Sequence, residues 1–326
     1  MQAISNRQIR MWSSMGQKMA VFGVALPEIA EKDKNMYVMT ADLMKLSGLT
    51  RFQEMYPEKF LNVGIAEQNM IGIAAGLALE GNSVFATTYA SFLTMRCYEQ
   101  IRHNLGYHQA NVKLIGSSSG LVMSFSGNTH YSYEDIALMR LIPNMTIVSP
   151  SDALEAYKLT HLLHQTEGPA YLRLSGGLQN PVVNPVDYEL QIGKAIVLKP
   201  GSDAVVFTTG AMVSESLKAA AELEADGIQI KVINMHTIAP LDVEMIEEHL
   251  GAPLLVTVEE HRSVGGLYSA ICEYTASKKA PLHIPIGIPG YYLKAGDYEY
   301  LKRTAGLEAG AIAEKIRQAL WKIKNG

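Results

Sequence analysis

The sequence predicts an α/β protein of two doubly wound domains, each with a mainly parallel sheet. Three observations carry that expectation. Short runs of apolar and β-branched residues alternate with helix-patterned stretches, as in successive βα units. The alternation stops once, between Gly176 and Gly193, where Pro181, Pro185, Asn180 and Asn184 favour an extended linker. The chain has 326 residues, enough for about two domains of ordinary size. The expected division is a first domain over 1–178, a linker over 179–193 and a second domain over 194–326.

Apolar residues recur at helical spacing from Gln8 to Glu31 and predict one long helix or two short ones. Met36 to Thr40 reads as a strand, with Asp42 just beyond it. Residues 44–50 read as a loop punctuated by Ser47 and Gly48. Leu61 to Val63 is the next strand, leading to a helix over Gln68 to Glu80 with Glu67 at its start. Then come a strand (83–88), a helix (91–104), a strand (111–116), a Ser- and Gly-rich loop (117–127), a helix (133–141) and a strand (145–148). Ser151 is expected to cap a helix over 152–165, followed by a strand over 170–174. The second domain offers strands at 204–208, 230–234, 254–258 and 283–286, and helices at 212–225, 241–250, 265–276 and 310–323.

Composition narrows the function. A net charge of −4 gives no general basic field for nucleic acid or an acidic membrane. Cys97 and Cys272 are too few for a disulfide framework and point to a reduced, cytoplasmic setting. No apolar run reaches the length of a membrane span, and the N-terminus lacks the apolar core of a secretory signal. Neither a Walker loop nor Gly-x-Gly-x-x-Gly is present. His161 and His164 share a helix face but no third metal ligand offers itself.

In an open α/β sheet, ligands sit beyond the carboxyl ends of the strands. That rule selects Asp42, residues 64–67, 88–92, 117–130 and 173–177, which should share one edge. Among them Glu67 opens a nearly uncharged helix. Acidic residues there are ordinarily caps, favoured by the helix dipole and the free N–H groups. A cluster of chemically active neighbours favours a working acid instead.

Several segments together resemble the C-terminal section of transketolases, a pattern shared by deoxyxylulose-phosphate synthases. They are Asn62 to Asn69 (NVGIAEQN), Gly127 to His130 (GNTH), Ile142 to Pro150 (IPNMTIVSP), His236 to Asp242 (HTIAPLD) and Val258 to Gly266 (VEEHRSVGG). The resemblance runs from about Asn6 to the C-terminus and implies a pyrimidine-binding domain followed by a transketolase C-terminal domain. The Gly-Asp-Gly motif with its downstream Asn, which in the family holds metal and diphosphate, is missing from this sequence. The resemblance therefore implies the small subunit of a split transketolase, dependent on thiamine diphosphate. A partner subunit would supply the pyrophosphate-binding domain and the Mg²⁺ ligands, in an α2β2 arrangement.

Site residues carry over position by position. Glu67 matches the glutamate that hydrogen-bonds the cofactor pyrimidine. Tyr89 and Phe92 match the aromatic pair around that ring. Asp42 and Ile65 fall near the cofactor. His130 matches a histidine that shares protons with the donor sugar. Arg173 and Ser47 match phosphate-binding residues, and either Arg7 or Arg10 an N-terminal phosphate contact. Ser126 stands where many relatives place a sugar-contacting Asp, Ser117 to Ser119 where many have a phosphate-contacting His, and Tyr131 where Gln is usual. These departures imply a substrate other than the ordinary pentose phosphates. The rival readings are a β subunit of a 2-oxo-acid dehydrogenase, a deoxyxylulose-phosphate-synthase-like enzyme and a non-catalytic paralogue.

Overall fold

A computed structural model describes residues 4–176 and 181–325. Residue 178, the expected domain boundary, and the start of the expected linker lie outside the described residues. Two mainly parallel sheets, each flanked by helices, form two α/β units. Strands β1 (Met36–Thr40), β2 (Phe60–Asn62), β3 (Ser83–Tyr89), β4 (Val112–Ser117), β5 (Thr146–Val148) and β6 (Ala170–Arg173) belong to the first. The second contains β7 (Ile196–Lys199), β8 (Ala204–Thr208), β9 (Ile230–Asn234), β11 (Leu255–Arg262) and β12 (His283–Ile288). Strand β10 (Thr237–Ala239) comes from the second half of the chain but completes the first sheet, whose order is β10-β5-β6-β4-β3-β1-β2. The second sheet runs β12-β11-β8-β9-β7.

The pairing within the first sheet sets the site edge. Its βα strands are all parallel, and Thr40 stands opposite both Asn62 and Thr87, Tyr89 opposite Ser117, and Gly116 opposite Arg173. The carboxyl ends of β2, β1, β3, β4 and β6 therefore form one continuous rim. Parallel strands covered on both faces read as apolar runs rather than alternations, and β4 and β6 are buried along their whole length.

Several elements differ from the sequence expectation. Residues 44–50, expected as a loop, hold a helical turn (Met44–Ser47) and the start of a second (Thr50–Met55). Gly48, at φ 84°, separates the two and adopts the left-handed conformation that glycine accepts without cost. Asp152, not Ser151, caps the Ala153–Gln165 helix, because its carboxylate accepts the Glu155 N–H. The expected helix over 91–104 is divided into two π-helical turns, Phe92–Arg96 and Ile101–Tyr107, around Tyr98–Gln100. Strands β7 and β10, both antiparallel to their neighbours, and the Tyr298–Ala305 helix have no counterpart in the sequence reading.

The two units share a core. One apolar cluster runs from Ile71 and Ala74, in the helix after Glu67, through Tyr171 to Phe207, Ile233 and Leu267 of the second unit. Continuous apolar burial of this kind opposes independent motion of domains.

Candidate active site

Glu67 is the first residue of the Glu67–Leu79 helix and is only 4% exposed. The preceding Ala66 makes no side-chain cap, and the Glu67 carboxylate is turned elsewhere: Oε1 accepts from Arg96 Nη1 at 2.7 Å. A buried carboxylate needs such a partner, because desolvation without one is costly. Arg96 is half-exposed and also lies over Phe92, with Cζ 4.3 Å from the ring centroid. The Gln68 side chain holds the same segment by donating to the Arg96 carbonyl at 3.1 Å. Cys97, next in the chain, is buried; burial first and the Glu67 charge second push its thiol up to about 12, so it is an inert apolar neighbour.

Beside this pair lies an aromatic group drawn from two segments. The Tyr89 and Phe92 rings meet edge to face with centroids 5.7 Å apart. His130 closes the group, at 6.0 Å from Tyr89 and 5.2 Å from Phe92. Tyr89 ends β3, and the π-helical turn Phe92–Arg96 begins three residues later. Such turns often occur at functional sites, where they re-aim side chains.

The His130 loop is built to be held in place. Gly127, at φ 73°, turns the chain inside the Ser124–Thr129 helical turn. Asn128 donates to the Leu293 carbonyl at 2.7 Å and accepts from the Tyr133 hydroxyl at 2.7 Å, tying the loop to the second unit. Gly120 and Ser132 exchange backbone hydrogen bonds at its base. The Thr129 hydroxyl is 2.9 Å from His130 Nδ1, so Nε2 is the ring nitrogen left for another partner.

The remaining candidates divide. Asp42 is exposed at φ 59°, with its N–H donated to Asn62 Oδ1; the same oxygen accepts from Gly64. Asn62 thus holds the ends of β1 and β2 together at the rim. Ile65, two residues before Glu67 in the chain, is 79% exposed. Ser126 is exposed in the His130 loop. Arg7 and Arg10 are exposed on the Asn6–Lys18 helix, which the Trp12–Tyr157 stack joins to the Ala153–Gln165 helix. Ser47 is buried, and its hydroxyl has no hydrogen-bond partner among the described residues. Ser117 and Ser119 turn their hydroxyls to the Thr88 and Gly116 carbonyls.

Arg173 requires a correction. Expected to grip a substrate phosphate, it is 1% exposed and held by partners within the protein. Nε donates to Asp135 Oδ2 at 2.8 Å, and Nη2 to the carbonyls of Glu260 at 2.9 Å and Ser132 at 3.3 Å. Burial alone would lower the guanidinium, but the charges of Asp135 and Glu260 outweigh it and hold it above its usual range. Tyr171 donates to the same Asp135 oxygen at 2.7 Å. Arg173 is therefore a strut between the two units. Its partner Asp135, and Arg96 at the Glu67 carboxylate, are the residues the sequence reading missed. The available signal for Arg96 was its place four residues after Phe92 in one helical segment.

Among the described residues no group of three or more His, Cys, Asp or Glu side chains could hold a metal ion. No helix among them is long and apolar enough to cross a membrane.

Comparison with known proteins assigns both units to one family. Residues 17–180 match the transketolase pyrimidine-binding domain and residues 193–312 the transketolase C-terminal domain. A protein of Methanocaldococcus jannaschii named as a transketolase C-terminal section is 35% identical over 92% of this chain and 95% of its own length. The 6-deoxy-6-sulfo-D-fructose transketolase subunit of a Clostridium species is 36% identical over 90% of this chain and 91% of its own. The chain spans about half of the 1-deoxy-D-xylulose-5-phosphate synthases it matches, 48% of the one from Chlorobium luteolum at 35% identity. A split-gene transketolase, described as an inactive β4 tetramer, superposes with a TM-score of 0.84 at 34% identity, covering 94% of this chain and 98% of that one. With its two domain matches, its nearly full-length relatives and the rim built around Glu67, this chain belongs to the transketolase family.

Proposed function

We infer that the chain is the C-terminal subunit of a split transketolase, transferring a two-carbon ketol unit from a ketose to an aldose with thiamine diphosphate. The observation that carries this reading is the convergence of Glu67, Arg96 and the Tyr89–Phe92–His130 rings at one sheet edge. These residues fit the cofactor's aminopyrimidine, because the site already binds one flat, nitrogen-rich group, the Arg96 guanidinium, between a carboxylate and an aromatic face. When bound, thiamine diphosphate supplies the carbon nucleophile and the electron sink that ketol transfer needs. Glu67 would hold the pyrimidine ring nitrogen, and Phe92 and Tyr89 would wall the ring. His130, steadied at Nδ1 by Thr129, is left with Nε2 to exchange a proton with a substrate oxygen. Asp42 and Ile65 would border the cofactor, and Ser126 would face the sugar.

A partner subunit carrying the pyrophosphate-binding domain would bring Mg²⁺ and grip the diphosphate, in an α2β2 assembly. With Arg173 inside the protein, a substrate phosphate would be met by Arg7, Arg10 or the partner. That change and the exposed Ser126 favour a substrate other than the common pentose phosphates.

Reconstitution tests the reading. The chain is mixed with a candidate partner bearing Gly-Asp-Gly and a downstream Asn, and ketol transfer is followed across a panel of donors. Transfer by the pair, absent from either chain alone and lost with Glu67→Gln, is expected. Full activity in Glu67→Gln would sink the cofactor assignment, and a preference for xylulose 5-phosphate with ribose 5-phosphate would sink the substrate inference. The similarity to deoxyxylulose-phosphate synthases keeps a second reading open, and carbon dioxide release from pyruvate with an aldose phosphate would establish it.

A further inference from the structure

Arg96 is not among the residues assigned a role from the sequence, yet it contacts two of the residues that were, Glu67 and Phe92. It touches both groups that would receive the aminopyrimidine: Glu67 Oε1 at 2.7 Å through Nη1, and the Phe92 ring through its guanidinium face at 4.3 Å. A guanidinium and an aminopyrimidine are alike in what they offer. Each is flat and delocalised, each presents a nitrogen edge to a carboxylate, and each presents a face to an aromatic ring. The two groups therefore compete for the same partners. They also differ in what they require of Glu67. Arg96 donates to a carboxylate lone pair, whereas a pyrimidine ring nitrogen accepts and must receive a hydrogen bond from the carboxyl group.

We propose that Arg96 is a place-holder, seated on Glu67 and Phe92 in the cofactor-free subunit and displaced outward when the aminopyrimidine enters. This rests on the cofactor reading above and deepens it by one residue. The seat keeps a buried carboxylate satisfied in a subunit that exists before assembly, which avoids the desolvation cost of an unpaired charge. Displacement is inexpensive because Arg96 lies at the mouth. Its side chain is 46% exposed while that of Glu67 is 5% exposed, so solvent takes over the guanidinium as it leaves. The segment has an anchor that does not depend on the side chain, since Gln68 holds the Arg96 carbonyl. The guanidinium can swing while its backbone stays in place.

The test uses the full-length chain, without partner, and the fragment 4-amino-5-hydroxymethyl-2-methylpyrimidine as probe in isothermal titration calorimetry. Arg96→Ala is expected to bind the probe roughly 1.5- to fivefold tighter than wild type, the range expected for removing one exposed ion pair. Wild-type affinity should rise with added salt, which screens the Arg96–Glu67 pair, and Arg96→Ala should lack that rise. Arg96→Lys, which keeps the charge and loses the flat face, should fall between them. Unchanged or weaker binding in Arg96→Ala, with Glu67→Gln abolishing binding, overturns the place-holder and leaves the cofactor reading standing. Absence of binding up to millimolar probe in wild type and Arg96→Ala alike also overturns the place-holder. Binding that neither Glu67→Gln nor Arg96→Ala alters overturns both.

Discussion

Glu67 and Arg173 are both buried charged residues on one rim, and they serve opposite ends. The Glu67 partner is half-exposed and able to leave. The Arg173 partners are buried with it and come from two separate segments, residues 132–135 and Glu260. Glu67→Gln in the assembled enzyme should therefore lower turnover by about 10²- to 10⁴-fold, the range for a lost acid–base group. Its melting temperature should stay within about 2 °C of wild type, since a pair open to solvent contributes little. A large loss of stability with little loss of turnover would return Glu67 to a structural role. Arg173→Met should do the reverse. It leaves Asp135 charged and buried without its main partner, at a cost of about 3–5 kcal/mol. Urea denaturation measures this directly, and a cost below about 1 kcal/mol would contradict the strut.

At the scale of elements, the Ala153–Gln165 helix joins the units at its N-terminus. Asp152 caps the helix through Oδ1, and its Oδ2 accepts from Val183 and, less closely, Asn184 in the segment leading to the second unit. Glu155, in the first turn, accepts from Asn234 and Tyr188 at 2.6 Å each. Asp152→Ala should cost about 1–2 kcal/mol, the upper part of the range for a lost cap. It should also speed proteolysis between residues 181 and 195, as limited trypsin or chymotrypsin digestion would show; an unchanged cleavage pattern would mean that other contacts hold the segment. Local pattern made most of these elements legible. The Met36–Thr40, Ala204–Thr208 and Ile230–Asn234 strands and the Met212–Ala225 helix follow from apolar periodicity alone. Topology then explains why Tyr89, Phe92 and His130 meet, because parallel strands deliver their carboxyl ends to one rim. What periodicity cannot carry is long-range pairing. Arg96 meets Glu67 across 29 residues, and Arg173 meets Asp135 across 38 and Glu260 across 87. A strand-end arginine reads the same whether it faces solvent or a buried aspartate. The three residues of β10 are too few to show a period at all.

Over the whole molecule, buried acids at the junction make stability depend on pH. Glu259 caps the Leu267–Thr275 helix by accepting from the Leu267 and Tyr268 N–H groups, and Glu260 accepts from Leu121 across the units. Burial raises Glu259 to about 8 and Glu260 to about 7, against the opposing pull of their hydrogen bonds and of Arg173. A carboxyl held above its unfolded value contributes stability that is fully present below that value and is lost as pH rises through the folded one. His261 acts on the other side. Burial lowers it to about 4, so its contribution is present above the unfolded value and lost as pH falls toward 4. Between their unfolded values and about pH 6.5 the two carboxyls outweigh the one histidine, so these groups place the maximum of the melting temperature near pH 4–5, with a fall of roughly 5–10 °C by pH 8. Glu259→Gln with Glu260→Gln should flatten the alkaline limb, and an equally steep fall in that double variant would place its origin elsewhere. Strand β10 carries a last consequence, for where such a protein can be divided between genes. Thr237 and Ala239 pair with Val148 and Ile147, and the Ser149 N–H meets the His236 carbonyl, so the edge of the first sheet is supplied from beyond the linker. A gene break at the linker would expose the β5 edge in one product and strand its cover in the other, inviting edge-to-edge aggregation. By this logic the two units are inherited as one piece.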